Sequence, residues 1–391
     1  MRSSLTPKFT AFGAFLALSL PLLSGPAWAE LAVAANDGKQ LIPGEPQTVT
    51  PDSISILDFG HYPPKVIGSV EVPASMIGSP NAVAVGAGDK FAIVTASQKV
   101  NPADLTHPAA DDKVSVIDLA DPAHPKVLQT VSAGAVASGV SINKAGNLVL
   151  VAALGADAIF VFRLADKTLT PAGRVDLGAG LNPADVAFTP DGRHAYAVGR
   201  GGSKIIELAV DGDKVTRTGN DVATGRNSYG AVITHDGRWL INTNLGGALE
   251  GEDRTSTVTM MDLKTHKVVA SVAAGKVTEH ATLTADGKYL AVVLANGAAT
   301  TKSDPKYDSV LGFLKIYAVG PGTLQEVAHA DTCHWAQGAA WSDDGRTLLQ
   351  QCAAEHLIQV FRFDGHALVQ DKAAAISFES RPGSIATRRT R

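Results

Sequence analysis

The sequence predicts an all-β protein with the fold of a β-propeller. An apolar strand, a tight turn and a second apolar strand recur six times along the 391 residues. Consecutive turns are separated by 57, 46, 45, 50 and 58 residues. The turns lie at Asp89, Gly146, Gly192, Gly237, Gly287 and Gly345. A period of about 40 to 50 residues with several strands per unit is typical of a β-propeller.

The first 29 residues have the pattern of a secretory signal peptide. Arg2 and Lys8 accompany an apolar stretch from Phe9 to Leu23, and Ala27-Trp28-Ala29 has the small-x-small form that a signal peptidase cleaves. An uncleaved membrane anchor is the alternative, but the apolar stretch is short for a membrane span. We therefore expect a mature chain of residues 30–391 that forms a single domain and is periplasmic or secreted.

The charge balance argues against a nucleic acid as partner. Without Arg2 and Lys8, the mature chain has 32 basic and 38 acidic residues, a net charge of −6. Domains that bind nucleic acids are usually basic. No segment after the signal is apolar over the length that a bilayer requires, so we expect no membrane span. The short, protected strand edges of a propeller favour a monomer.

The third repeat shows how one unit divides into strands. Asp185–Phe188 and His194–Val198 are its first two strands, because Pro190-Asp191-Gly192 between them favours the backbone angles of a tight hairpin. Ser203–Val210 is the third strand, and Asp211-Gly212-Asp213 turns the chain into a fourth. Four antiparallel strands are what one propeller blade contains.

The two ends of the chain predict a seventh blade. Arg381–Thr387 matches the opening of the first repeat, Ser79–Val85, in the character of each position, but no second strand follows it. Three segments before the first repeat have the order of second, third and fourth strands. They are Leu31–Ala34, Ser53–Asp58 and Val66–Glu71. One C-terminal strand would complete three N-terminal strands, so we predict seven blades and a ring that closes within one blade.

The two cysteines, Cys333 and Cys352, flank the turn of the sixth repeat. Reflection through the turn Asp343-Asp344-Gly345 brings Cys352 near Ala336, a few residues from Cys333. An exported protein meets an oxidising compartment, so we predict a disulfide, with free thiols as the alternative. The spacing fits no redox or haem motif, and we expect no metal role for the pair.

Two segments resemble a known group of propellers. Asn182–Val198 combines an apolar strand, a Thr-Pro-Asp-Gly turn and a strand of aromatic and Val residues, and Val114–Leu119 has the form Val-x-Val-Ile-Asp-Leu. The chain therefore resembles the YVTN-type and lactonase-like seven-bladed propellers. Where that repeat has Tyr-Val-Thr-Asn, this chain has Ile93-Val94-Thr95-Ala96. The shared motifs are turn and packing signals, so the resemblance implies the fold more directly than an activity.

One face of a propeller carries the loops from the second to the third strand and from each fourth strand to the next blade. Function usually lies on this face, above the mouth of the central channel. Four long loops between second and third strands are predicted there. They are Ser97–Asp112, Leu245–Arg254, Asn296–Asp308 and Ala35–Asp52. Each alone is compatible with a solvated loop, but together they would form part of a wall around the mouth.

The segments that lead into blades four, five and six carry side chains suited to chemistry. His and Glu can activate water, Arg can hold an anionic oxygen, and Trp or Tyr can stack on a ring. The candidate catalytic residues are Glu279, His280 and His334. The candidate ligand-binding residues are Arg226, Asn227, Tyr229 and Trp335. For each residue alone, a structural hydrogen bond is the alternative.

Two functions from different classes are compatible with these residues. The sequence has no phosphate-binding loop, zinc-protease helix, serine-hydrolase elbow or haem-attachment motif. This absence and the export signal favour a binding or scaffold protein that holds a small molecule or a periplasmic protein. The alternative is a lactone hydrolase, in which Glu279 or His280 activates water and Arg226 or His334 stabilises the oxyanion. The sequence indicates no particular ligand, metal or cofactor.

Overall fold

We describe the protein from a computed structural model. The structure describes residues 1, 30–42, 48–247, 255–300 and 302–388. Nearly all of the predicted signal peptide, parts of three predicted loops and the last three residues lie outside the described residues. The described residues contain no helix with the length and hydrophobicity needed to cross a membrane.

The described residues form seven sheets of four antiparallel strands, arranged as the blades of a propeller. We number the strands β1 to β28 in chain order. Blade 7 contains β1 (Leu31–Asp37), β2 (Ser53–Asp58), β3 (Lys65–Glu71) and β28 (Arg381–Thr387). Blade 1 contains β4 (Val83–Val85), β5 (Phe91–Lys99), β6 (Ala109–Asp118) and β7 (Lys126–Ser132). Blade 2 contains β8 (Ala137–Ile142), β9 (Leu148–Ala153), β10 (Ala158–Ala165) and β11 (Thr168–Asp176).

The remaining blades follow the same order along the chain. Blade 3 contains β12 (Pro183–Phe188), β13 (His194–Gly199), β14 (Lys204–Asp211) and β15 (Lys214–Ala223). Blade 4 contains β16 (Ser228–Ile233), β17 (Trp239–Asn244), β18 (Thr255–Asp262) and β19 (Lys267–Lys276). Blade 5 contains β20 (Thr278–Leu283), β21 (Tyr289–Leu294), β22 (Phe313–Gly320) and β23 (Thr323–Asp331). Blade 6 contains β24 (Ala336–Trp341), β25 (Thr347–Cys352), β26 (Leu357–Phe363) and β27 (Leu368–Ser377).

The ring closes in blade 7, where the two ends of the chain meet. The C-terminal strand β28 pairs antiparallel with β1, with Ile385 opposite Ala34. β1 continues the sheet into β2 and β3. The predicted seven-bladed fold and its closure by N- and C-terminal strands are therefore confirmed.

The hydrophobic core lies between neighbouring blades. All six residues of β9, Leu148–Ala153, are buried, because this strand packs against another blade on each of its faces. Between blades 2 and 3, for example, Leu150 and Ile159 pack with Val186 and Ile206. Continuous apolar strands of this kind favour blade-on-blade packing and leave the innermost strands free to carry polar groups.

The first strand of every blade lines the central channel, since these strands contact one another in sequence around the ring. Several of them begin with a β-bulge at the face that carries the loops between second and third strands. The register shifts between Ser228 and Ala231 in β16 and between Thr278 and His280 in β20. Bulges redirect side chains, and here they lie at the channel mouth.

Candidate functional site

The segment that connects blade 7 to blade 1, residues 72–82, lies inside the channel mouth; we call it the channel plug. Its backbone contacts the inner strands of several blades. The Tyr229 hydroxyl of blade 4 donates a hydrogen bond to the Gly78 carbonyl. The Ser384 hydroxyl of blade 7 donates to the Pro80 carbonyl at 2.5 Å. The plug is therefore held from opposite sides of the ring.

Asn81 of the channel plug joins two polar side chains on the channel axis. Its Nδ2 donates to Asp185 Oδ2 at 2.7 Å, and its Oδ1 lies 3.0 Å from His280 Nε2. The Asp185 and His280 side chains are fully buried, and Asn81 is 3% exposed. The backbone N–H groups of Ala231 and Val186 also donate to the Asp185 carboxylate, at 3.0 and 2.8 Å. The network therefore links blades 1, 3, 4 and 5.

The tautomer of His280 follows from its two partners. The Ala339 backbone N–H donates to Nδ1 at 3.0 Å, so this nitrogen carries no proton. Nε2 must then carry the proton, which it donates to Asn81 Oδ1. Because both ring nitrogens are engaged in a fully buried network, the geometry favours a positioning role for His280 over activation of water.

Glu279 precedes His280 in β20 and has a different environment. It is partly buried, and none of the described residues hydrogen-bonds to its carboxyl group. Burial raises the pKa of Glu279 from near 4.5 to about 7, although the positive charge of Arg200 acts in the opposite direction. A carboxyl group with a pKa near neutrality exchanges protons readily at physiological pH, as a general base must.

Arg200 and Tyr229 lie beside Glu279. The guanidinium carbon of Arg200 is 5.5 Å from the centroid of the Tyr229 ring, within the range of a cation–π contact. Tyr229 is buried, and this burial, followed by the negative charge of Glu279, raises the pKa of its hydroxyl above the ordinary value. Blades 3, 4 and 5 thus supply one cation, one phenol and one carboxyl; we call these three residues the mouth cluster.

Arg226 and Asn227 lie in the turn that leads into blade 4. Asn227 has a φ of +54°, and its backbone N–H donates to Ser203 Oγ at 3.1 Å. Its side-chain amide donates to the Gly246 carbonyl at 2.7 Å. These bonds give Asn227 a structural role in the turn. The Arg226 side chain is exposed at the surface.

His334 fastens a loop of blade 5 to blade 6. Its Nδ1 lies 2.6 Å from Glu355 Oε1, and its Nε2 lies 2.8 Å from the Tyr307 carbonyl oxygen. Its ring also stacks on that of Tyr307 at 3.7 Å between centroids. The next residue, Trp335, donates its backbone N–H to the Ala298 carbonyl of the same loop at 3.3 Å. These contacts account for His334 without a chemical role.

Cys333 and Cys352 form a disulfide next to His334, with a Cα–Cα distance of 5.7 Å. Ala336 pairs with Cys352 across the hairpin, which is the geometry that the sequence predicts. Glu355 lies close to both sulfur atoms, but the sulfurs are bonded to each other and do not offer thiolate ligands.

The sequence predicted Glu279 and Tyr229, which the structure brings close together, but it did not predict Arg200, Asn81 or Asp185. Arg200 lies in the connection between β13 and β14, on the expected face, but this connection is short and only the long connections were predicted to form the site. Asp185 is a charged residue in an otherwise apolar inner strand, and this contrast was a usable signal. Asn81 has no such signal, because its partners are distant in the sequence.

The fold and the mouth cluster define a seven-bladed β-propeller with a polar site at one end of its channel. The chain matches the family model described as "Lactonase, 7-bladed beta-propeller" over residues 135–302. This match confirms the resemblance to lactonase-like seven-bladed propellers. All three residues of the mouth cluster lie within the matched segment, whereas His334 and Trp335 lie outside it.

Solved structures share the fold over most of the chain. A candidate 6-phosphogluconolactonase from Bacteroides uniformis has a TM-score of 0.70 and 17% identity, covering 92% of this chain and 99% of that chain. A periplasmic gluconolactonase from Pseudomonas aeruginosa has a TM-score of 0.68 and 14% identity, covering 93% and 99%. Hydrazine synthase from Kuenenia stuttgartiensis has a TM-score of 0.56 and 17% identity, covering 75% and 79%. At such identities the likeness shows the fold alone. No curated protein sequence matches the chain.

The expectation of a non-catalytic binding or scaffold protein is wrong. The match to the lactonase family model favours the alternative of a lactone hydrolase. The lack of a short catalytic motif in the sequence does not indicate a lack of catalysis. In a propeller the reacting groups come from different blades, so no short motif is required to contain them.

Proposed function

We propose that the protein hydrolyses a lactone at the mouth cluster. The observation that carries the proposal is Glu279, a partly buried carboxyl group with a pKa of about 7 and with no hydrogen-bond partner among the residues that the structure describes. It lies beside Arg200, within the segment that matches the lactonase family model. These features support Glu279 as the general base and Arg200 as the group that stabilises negative charge.

In the first step, Glu279 accepts a proton from a water molecule while the water oxygen bonds to the lactone carbonyl carbon. The carbonyl electrons move onto its oxygen and form a tetrahedral oxyanion. Arg200, whose positive charge acts on Glu279, would stabilise this oxyanion, a contribution often worth a factor of about 10² to 10³ in kcat.

In the second step, the tetrahedral intermediate re-forms the carbonyl and the ring C–O bond breaks. The departing alkoxide takes the proton back from Glu279, so the carboxylate is regenerated. The net reaction adds one water molecule to the lactone and gives a hydroxy acid, which loses a proton to solvent near neutral pH.

We propose a sugar-derived lactone in the periplasm as the substrate. The polar mouth cluster suits a hydroxylated ring, and one structural neighbour is named as a periplasmic gluconolactonase. The predicted signal peptide and the disulfide support an oxidising compartment outside the cytoplasm. A small-molecule substrate and a monomeric state remain proposals.

The test is hydrolysis of glucono-1,5-lactone by the purified mature protein at pH 6 to 7.5, with the spontaneous rate subtracted. Glu279→Gln is expected to lower kcat about 10² to 10⁴-fold, and Arg200→Ala about 10² to 10³-fold. Arg193→Ala is the matched control, because Arg193 is an exposed arginine in the turn between the first two strands of the same blade as Arg200 and lies outside the mouth cluster. If a panel of lactones shows no catalysed opening, or if Glu279→Gln keeps full activity, the proposal is wrong.

A further inference from the structure

We infer that the channel plug positions the mouth cluster, with Asn81 as the residue that fixes the plug in the channel. The kinetic part of this inference rests on the proposed function. The positional part concerns only the contacts of the plug with blades 3, 4 and 5, and it can be tested without any substrate.

The amide of Asn81 fits its site by chemical complementarity. One end of the amide donates to a carboxylate, and the other accepts from an imidazole N–H. Aspartate at this position would turn an acceptor toward the Asp185 carboxylate, and an apolar side chain would remove one hydrogen bond from each of two fully buried polar groups. Asparagine satisfies both partners with one rigid plane.

The inner strands leave space for this network where larger residues would exclude it. A Cβ atom added to Gly139 would lie 2.3 Å from Asp185 Oδ1, and one added to Gly230 would lie 3.2 Å from Asn81 Nδ2. The side chains of Asp185 and Asn81 therefore occupy space that a larger residue at Gly139 of blade 2 or Gly230 of blade 4 would take. The inner strands thus define the positions of Asn81 and Asp185 in the channel.

Two connections lead from the network to the mouth cluster. His280 directly follows Glu279 in β20, so fixing its imidazole through Asn81 and Ala339 also fixes the peptide that carries Glu279. Gly78 precedes Asn81 by three residues and accepts the Tyr229 hydroxyl hydrogen bond. Tyr229 in turn lies beneath Arg200. Loss of Asn81 should therefore disturb all three residues of the mouth cluster together.

The environment of Glu279 provides a readout for this disturbance. Arg200 is the charged group whose effect on Glu279 is resolved, and the negative charges of Glu279 and Asp185 act in turn on Tyr229. Burial dominates the raised pKa of Glu279, so a loosened plug that admits water should bring the pKa down toward 4.5. A substitution that only lowered global stability would leave the pKa of the folded protein unchanged.

The experiment compares wild type, Asn81→Ala and the control Asn147→Ala, in which an exposed asparagine on the opposite face is replaced. The Glu279 carboxyl carbon is followed by NMR as a function of pH, and lactone kinetics are measured in parallel. We expect Asn81→Ala to lower the titration midpoint by at least one pH unit, and to lower kcat about 10 to 100-fold with KM changed less than threefold. Asn147→Ala should match wild type in both measurements.

The outcomes separate this inference from the proposed function. If wild type opens no lactone but Asn81→Ala still lowers the Glu279 midpoint, the proposed function fails and the positioning role stands. An unchanged midpoint in folded Asn81→Ala protein overturns the positioning role. If Asn81→Ala does not fold, Tyr229→Phe removes the hydroxyl that bonds to the Gly78 carbonyl and keeps the ring beneath Arg200. An unchanged Glu279 midpoint in that variant likewise overturns the positioning role.

Discussion

At the scale of single residues, the ionisation of Glu279 should determine how hydrolysis depends on pH. A general base works in its ionised form, and the pKa of Glu279 is raised to about 7. We therefore predict that kcat/KM rises with pH through a midpoint near 7 and then levels off. Initial rates from pH 5.5 to 8, corrected for spontaneous opening, test this prediction. A midpoint near 4.5 would show that the base is a solvated carboxyl group elsewhere.

The raised pKa of Glu279 also predicts an effect on stability with a definite sign. The folded protein holds the Glu279 proton more tightly than the unfolded chain does, so ionisation of this group favours unfolding as pH rises from about 4.5 to about 7. Glu279→Gln should therefore raise the free energy of unfolding at pH 8, by up to about 3 kcal/mol, and change it little at pH 4.5. Urea unfolding of both proteins at the two pH values is the measurement. An equal effect of the substitution at both pH values would contradict the raised pKa of Glu279.

At the scale of elements, the turns that lead into blades 3 to 6 share one left-handed residue. Asn182, Asn227, Val277 and Trp335 have φ values of +46°, +54°, +56° and +51°. Asparagine adopts this conformation readily, whereas a β-branched residue is strained there. Val277 directly precedes Thr278 and Glu279, so the strained turn lies beside the mouth cluster.

We predict that Val277→Asn stabilises the protein by about 1 kcal/mol, because it relieves this strain. The reciprocal change, Asn182→Val, should destabilise it by a similar amount. Asn182 is a better position than Asn227 for this reciprocal change, because replacing Asn227 would also remove its side-chain hydrogen bond to the Gly246 carbonyl. Denaturant unfolding curves measure both changes. A Val277→Asn protein no more stable than wild type would mean that the surrounding contacts of Val277 offset its backbone strain.

The same elements show what sequence reasoning could and could not predict. Apolar strands and Asp-Gly turns predicted the strand boundaries to within a few residues, as in β14, predicted over Ser203–Val210 and observed over Lys204–Asp211. These features are local and repeat in every blade. Asn81 pairs with Asp185 and His280, which are 104 and 199 residues away. Contacts across the channel leave no periodic pattern, so the positions of the channel plug and of Arg200 could be obtained only from the structure.

At the scale of the whole molecule, the ring is closed by more than the pairing of β28 with β1. Arg388, just after β28, lies 3.0 Å from Asp89 of blade 1 and 2.6 Å from Asp343 of blade 6. It therefore joins the two blades on either side of blade 7. Asp89 is 6% exposed, so removal of the Arg388 side chain would take a charge partner from a carboxylate that has little access to water.

We predict that Arg388→Ala lowers the free energy of unfolding by about 1 to 3 kcal/mol and that the loss is larger at pH 8 than at pH 5. The reason is Glu30, whose pKa is raised to about 7, chiefly by burial; the backbone N–H of Asp343 and the charge of Arg388 oppose this shift, and the negative charges of Asp343 and Asp344 add to it. Without Arg388, ionised Glu30 faces uncompensated negative charge, so the cost appears as pH rises through 7. Thermal unfolding of Arg388→Ala and of the control Arg346→Ala, an exposed arginine in the blade 6 turn, tests the prediction. A double-mutant cycle that combines Arg388→Ala with Asp343→Asn should give a coupling energy of about 0.5 to 2 kcal/mol between the two residues. A coupling energy of zero would mean that the pairing of β28 with β1 closes the ring without help from Arg388.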